Sequence, residues 1–200
     1  MPDRGRSVPV LIATSAWFLL ALLTGAVGLL RSVPPPFPAL MILTLVAGLL
    51  ALFWKWSAFQ RWGLAVDIRA LVLIHASRFV GIYFLVLYSR GELPYAFAVP
   101  GGWGDIAVAT TALLVCAVSP TRGAVGRGVL LAWNVLGLVD ILLVVATAAR
   151  LGVADPESMR ALTTLPLSLL PTFLVPIIIA THVIIFVRLL AVRRTADGVF

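Results

Sequence analysis

The stretch from Asp67 to Asp105, DIRALVLIHASRFVGIYFLVLYSRGELPYAFAVPGGWGD, decides the fold, because an otherwise apolar chain concentrates polar residues there. An apolar segment of spanning length within it carries His75 and Arg78 about one helical turn apart. A charged side chain at the centre of a membrane helix costs roughly 2.5 to 3.5 kcal/mol, against about 0.3 to 0.6 kcal/mol gained per Leu, Ile, Phe or Val. Such residues face a bundle interior or a water-filled cavity. We therefore expect Arg78 to have a partner on another helix.

Composition places the chain among polytopic membrane proteins. Of its 200 residues, 62% are hydrophobic and 12% are charged, and apolar runs recur from end to end. We expect one integral-membrane domain over residues 1–200. The net charge of +7 does not indicate nucleic-acid binding, because the basic residues lie at the ends of apolar runs. Cys116 is the single cysteine, so the chain has no internal disulfide and no CxxC pair.

Hydrophobic runs separated by turn signals predict an all-α bundle of six transmembrane helices. The proline-rich SVPPPFP, residues 32–38, cannot continue a helix and predicts a tight turn. The predicted fourth span is short, about 22 Å long at 1.5 Å per residue. Pro166, Pro171 and Pro176 predict a kink or break in the outer half of the last span. The predicted spans are residues 8–30, 39–56, 68–89, 104–118, 129–149 and 167–190.

The distribution of Lys and Arg predicts the orientation. With six spans, ten basic residues fall on one side and four on the other, and Arg78 lies inside a span. By the positive-inside rule both termini are then cytoplasmic, as expected for a multi-pass protein of a bacterial inner membrane. The ten are Arg4, Arg6, Lys55, Arg61, Arg69, Arg122, Arg127, Arg188, Arg193 and Arg194; the four are Arg31, Arg90, Arg150 and Arg160.

Depth along each span, counted at about 1.5 Å per residue, matches polar residues on separate helices. His75 and His182 fall at one level, and Arg78 and Asp140 fall slightly deeper. We predict an Arg78–Asp140 ion pair in the bundle core. We expect both histidines and Asn134 close to this pair.

Three interpretations of this polar cluster remain open. It fixes helix packing in a non-catalytic accessory subunit; it handles a proton or a small solute, including an anionic one held by Arg78; or His75 and His182 ligate haem b in an electron carrier. The second is preferred, with no cofactor. No HExxH, GxSxG, Walker or paired-carboxylate pattern occurs, so we expect neither an enzyme nor a metal site.

The connector GELPYAFAVPGGWGD, residues 91–105, is rich in glycine, proline and aromatic residues. We expect an outer loop that folds back as a partial lid over the polar cluster. Tyr95 and Trp103 are its candidate solute contacts. Asp105 is placed to cap the short fourth span at its N-terminal end, or to contact the solute.

The runs HASRFVGIYFL, GELPYAFAVPGGWGD and NVLGLVD together resemble a family of small six-span bacterial inner-membrane proteins of unassigned function. The resemblance covers the middle part of the chain. It implies that spans three, four and five form a unit. It implies no activity, cofactor or substrate.

Overall fold

A computed structural model describes residues 4–118 and 123–197. Every regular element in these ranges is helical, which confirms the all-α prediction for this part of the chain. Six helical runs are long and apolar enough to cross a membrane, in agreement with the predicted number. They are Val8–Ala26, Phe37–Lys55, Ile68–Ser89, Tyr95–Ala117, Val125–Ala154 and Leu170–Leu190.

Proline and glycine set the first turn. Helix α1 (Arg4–Ala26) ends before Gly28, whose φ of 68° is the left-handed conformation that glycine adopts without steric cost. A 3₁₀ segment (Leu29–Ser32) follows, and helix α2 (Phe37–Lys55) starts directly after Pro36, with Pro38 in its first turn. The predicted proline turn is therefore present, close to its expected bounds.

A short helix, α3 (Ser57–Ala65), joins α2 to the third span. Trp56, directly before this helix, and Phe59 and Trp62 within it stack in a row, with ring centroids 6.3 Å apart for Trp56 and Phe59 and 5.6 Å apart for Phe59 and Trp62. Aromatic and basic residues are typical of the headgroup level of a membrane. Arg188 also donates to the carbonyl oxygen of Val66, which ties the end of this segment to the last helix.

The third span is not one continuous α-helix. It consists of α4 (Ile68–Leu73), a 3₁₀ segment (Ile74–Phe79) and α5 (Val80–Ser89). Residues three apart eclipse one another in a 3₁₀ helix. His75 and Arg78 therefore project to the same side, and both are buried.

Helix α6 (Tyr95–Val118) corrects the prediction for the fourth span. The helix begins at Tyr95 rather than at residue 104, so the expected lid loop is wrong, and Asp105 lies inside the helix rather than at its cap. The glycines serve close helix packing instead of a turn: a Cβ on Gly102 would lie 2.8 Å from the carbonyl oxygen of Gly81 on α5. Neighbouring helices can compensate for a proline inside a span, here Pro100.

Helix α7 (Gly123–Ala154) leads into a short 3₁₀ segment (Glu157–Thr163). The entry to the last span is irregular, as its prolines predict: a π-helical turn (Leu170–Leu174) precedes α8 (Val175–Asp197). Helix α1 packs against this turn, and Trp17 Nε1 donates to the Thr172 carbonyl oxygen at 3.0 Å.

Two apolar clusters form the core, and a polar layer separates them along the third span, α6, α7 and α8. One cluster includes Phe84, Phe97, Ile141 and Ile178. The other includes Val72, Val108, Leu130, Trp133 and Ile185. The first lies toward the outer end of the bundle, defined here as the end with the turns at residues 33–36 and 90–94 and the 3₁₀ segment Glu157–Thr163.

Candidate functional site

Arg78 is the centre of the polar layer and binds two carboxylates on two different helices. Its Nε donates to Asp105 Oδ1 on α6 at 2.6 Å. Its Nη2 donates to Asp140 Oδ2 on α7, so the predicted Arg78–Asp140 ion pair is present. Its Nη1 donates to the Gly137 carbonyl oxygen at 2.9 Å. We call Arg78, Asp105 and Asp140 the charge cluster.

The two carboxylates of the charge cluster differ in exposure. The side chains of Arg78 and Asp105 are 1% and 4% exposed, whereas the side chain of Asp140 is 25% exposed. Gly104 makes room for Asp140, since a Cβ at position 104 would overlap Asp140 Oδ1. Asp105 is therefore the buried carboxylate of the charge cluster, and Asp140 is the partly exposed carboxylate, contributed by α7.

The two histidines form an imidazole pair next to the charge cluster. Their ring centroids are 4.2 Å apart, and both side chains are fully buried. Gly137 permits this packing, because a Cβ there would lie 2.8 Å from His182 Cε1. The prediction that His75 and His182 meet at one level is confirmed.

Hydrogen bonds fix the tautomer of each imidazole. Thr181 Oγ1 donates to the Ile178 carbonyl oxygen at 2.8 Å, so it accepts from His75 Nε2 at 3.3 Å. Asn134 Nδ2 donates to the carbonyl oxygen of His182 at 3.1 Å, and Asn134 Oδ1 accepts from His182 Nδ1 at 2.8 Å. When neutral, each ring therefore keeps one nitrogen with a free lone pair.

Those two nitrogens have no hydrogen-bond partner in the described part of the chain. They are His75 Nδ1 and His182 Nε2, and the buried Trp133 Nε1 also lacks an acceptor. The Trp133 ring lies edge-on to His75, with centroids 5.1 Å apart. Buried polar atoms are normally satisfied, so this pocket has unused capacity to accept a proton or a hydrogen bond.

The imidazole pair does not fit bis-histidine ligation of haem. A metal–nitrogen bond of roughly 2 Å on each face would place the two ligand nitrogens about 4 Å apart. The ring centroids would then be farther apart than the nitrogens, with the macrocycle between the two rings. The rings of His75 and His182 instead contact each other directly at 4.2 Å between centroids. Within residues 4–118 and 123–197, no group of three or more His, Cys, Asp and Glu side chains could hold a metal ion.

A cavity of about 580 Å³ connects the outer end of the bundle with the charge cluster. We call it the outer cavity. Its floor includes Arg78 and Asp105, and its walls are mainly aliphatic and aromatic. Arg31, Glu157 and Arg160 line its mouth; Arg160 Nη1 donates to Glu157 Oε1 at 2.7 Å, and this hydrogen bond raises the pKa of Arg160.

The structure brings together most of the sequence-predicted site residues. Arg78, Asp140, His75, His182 and Asn134 lie in one layer, and Asp105 joins them. Tyr95 and Trp103 do not, because each is 61% exposed on the outer surface of α6.

Sequence reasoning missed two members of this layer. Thr181 and Trp133 were not considered, although Thr181 directly precedes His182 and Trp133 directly precedes Asn134. Polar or amphipathic residues adjoining a buried polar residue within a span are the signal that could have found them.

A family model described as Domain of unknown function (DUF8737) matches residues 35–190. The chain belongs to this family. The part that matches DUF8737 contains every residue of the charge cluster and of the imidazole pair. No curated protein and no solved structure matches the chain.

Proposed function

We propose that this chain is a multi-pass protein of a bacterial inner membrane, with both termini in the cytoplasm, that binds an exchangeable proton in its core while it handles a small solute, without catalytic turnover. The observation that carries the proposal is the pairing of one buried guanidinium with two carboxylates, Asp105 and Asp140.

Charge balance supports a proton at this site. Arg78 contributes one positive charge, and the two carboxylates contribute two negative charges when both are ionised. An uncompensated charge in a low-dielectric interior is costly. A proton shared by Asp105 and Asp140 makes the cluster neutral, as in other carboxylate pairs that share a site.

The same balance disfavours an anionic solute at Arg78. Three of the five N–H groups of Arg78 already donate to Asp105, Asp140 and the Gly137 carbonyl oxygen. An added anion would increase the excess of negative charge. A proton or a cation therefore fits the cluster better than the anionic solute considered from sequence.

Access to the site supports exchange. On one side, the outer cavity reaches Asp105. On the other, the imidazole pair packs against Trp133, a residue of the second apolar cluster. Histidine nitrogens with free lone pairs are suited to take up and release protons, so we propose that a proton passes from Asp105 to the imidazole pair.

Infrared difference spectra between the purified wild type and each of its Asp→Asn variants test proton binding. We expect a protonated-carboxyl C=O band at neutral pH that disappears in both Asp105→Asn and Asp140→Asn, because either change leaves a neutral ion pair with Arg78. Asp155→Asn, in an exposed turn, is the control and should keep the band. A wild-type spectrum without this band would refute proton binding.

Flux through the membrane is measured separately. Proteoliposomes loaded with a pH-sensitive dye should show proton movement under an imposed pH difference in the wild type and the Asp155→Asn control, and little in Asp105→Asn. Equal flux in wild type and Asp105→Asn would contradict a role of the cluster in proton movement.

A further inference from the structure

The outer cavity has the size and lining of a site for a small amphiphile. Its volume of about 580 Å³ falls within the roughly 300 to 1,000 Å³ of typical ligand sites. Ile42, Phe84, Phe97, Val145 and Val175 are among its apolar lining residues, and the buried pair Arg78–Asp105 forms its polar end. We propose that the cavity binds an amphiphilic monovalent cation, a primary ammonium on an alkyl or aryl chain, with the ammonium at Asp105.

The sign of the charge follows from the cluster. Two carboxylates against one guanidinium leave a negative excess, which a monovalent cation balances and an anion would increase. Asp140 pairs with Nη2 of Arg78 and offsets the positive charge of the guanidinium. The cavity therefore ends in a polar group with an acidic character despite the presence of Arg78.

Asp105 has the free acceptor that an ammonium needs. In the described part of the chain, its hydrogen bond with Arg78 engages Oδ1, and Oδ2 accepts no hydrogen bond. An ionised carboxylate offers about four lone-pair sites. An ammonium donating to Oδ2 would form a charge-assisted hydrogen bond, which is about twice as strong as a neutral one.

The mouth does not prevent entry of a cation. Arg31 and Arg160 line it, but Glu157 pairs with Arg160, and charges at an exposed mouth are screened within about 8 to 10 Å by physiological salt. The charged groups that line the cavity are Arg78 and Asp105 at its polar end and Arg31, Glu157 and Arg160 at its mouth. The remaining titratable groups of the polar layer, Asp140, His75 and His182, lie beside Arg78 and outside the cavity lining.

This inference rests on the proposed function, because the ammonium and the exchangeable proton would compete for the same negative excess. Binding of the cation should then release one proton. The apparent affinity for the cation should fall by about tenfold for each unit by which the pH is lowered, in the pH range where the ligand-free cluster holds the proton.

A scintillation proximity assay on the purified, detergent-solubilised protein with radiolabelled octylammonium tests the site. Unlabelled octylammonium should compete saturably, and octanol and octanoate, which have the same chain, should compete at least about tenfold more weakly, as expected for loss of a charged hydrogen bond. Competition by octanol or octanoate as strong as by octylammonium would overturn the proposal.

Two variants on α7 locate the site. Val145→Trp fills the cavity without changing its charge and should abolish specific binding. Val139→Trp, on the exposed surface of the same helix, is the matched control and should bind as the wild type does. Asp105→Asn should weaken binding at least about tenfold. Wild-type binding by Val145→Trp would place the ligand elsewhere and overturn the inference.

Proton release, followed with a pH dye in weakly buffered solution, separates the two proposals. A carboxyl band in the ligand-free protein with no octylammonium binding would overturn the cation site and leave proton binding intact. Octylammonium binding with neither a carboxyl band nor proton release would establish the cation site and refute the proposed proton.

Discussion

Replacing Arg78 with Met should destabilise the protein more than any other single change in the polar layer. The substitution keeps an unbranched side chain but leaves the buried Asp105 and the partly exposed Asp140 without a counter-charge. Removing one partner from a buried ion pair typically costs about 3 to 5 kcal/mol. We expect a loss of this size in the free energy of unfolding.

The two carboxylates should rank below Arg78. Asp105→Asn removes a buried charged hydrogen bond, worth about 1.5 to 3 kcal/mol. Asp140→Asn removes the second charged hydrogen bond of Arg78 and should cost a similar amount, about 1.5 to 3 kcal/mol, because the exposed quarter of its side chain lies on a membrane-spanning helix, where no water replaces the ion pair. The triple variant Arg78→Met, Asp105→Asn, Asp140→Asn should recover part of the loss, since no charge then remains unpaired.

Unfolding in mixed micelles with increasing SDS, followed by far-UV circular dichroism, measures these differences. Arg150→Met, at an exposed position of α7, is the matched control and should change stability by no more than about 0.5 kcal/mol. The reasoning fails if Arg78→Met costs no more than Asp140→Asn, or if the triple variant is less stable than Arg78→Met alone.

Four further predictions follow from the packing and the orientation. Gly104→Ala should displace Asp140 and lower stability about as much as Asp140→Ala does, and the double variant should be no worse than either, as a thermal melt would show. Gly81→Ala should cost about 1 to 3 kcal/mol because it forces α5 away from the backbone of α6; Gly48→Ala, which meets no neighbour, should gain up to about 1 kcal/mol. Asn134→Leu should cost about 1 to 3 kcal/mol in SDS unfolding, since it leaves the buried Nδ1 of His182 without its hydrogen-bond partner. A reporter enzyme active only in the periplasm should stay inactive when fused to the C-terminus.

Hydropathy and depth were enough to predict the helix number and the main ion pair. The cost of placing Arg78 in an apolar environment demands a partner, and the constant rise of a helix lets residues on different spans be compared by level. Asp140 is the acid at that level on α7, and the contact is present. The meeting of His75 and His182 follows from the same count.

The connector could not be predicted in the same way, because glycine and proline have two opposite uses. In a soluble loop, Pro100, Gly101 and Gly102 would indicate a turn. Between packed apolar helices, glycine lets two backbones approach closely, and here Gly102 contacts Gly81 within a helix. That ambiguity concealed Asp105 as the second partner of Arg78, since a loop reading places it at a helix cap.

The 3₁₀ geometry of the third span explains how the charge cluster and the imidazole pair come to share one layer. In an α-helix, residues three apart are rotated by roughly 60° from each other about the axis, whereas in a 3₁₀ helix they eclipse. His75 and Arg78 lie within the 3₁₀ segment Ile74–Phe79 and therefore project to the same side, where Arg78 contacts α6 and α7 and His75 contacts α7 and α8. We expect a change in protonation of the cluster that shifts Arg78 to shift His75 as well, because one short 3₁₀ segment joins them. This mechanical link is what would allow ligand or proton binding in the outer cavity to be felt at the imidazole pair.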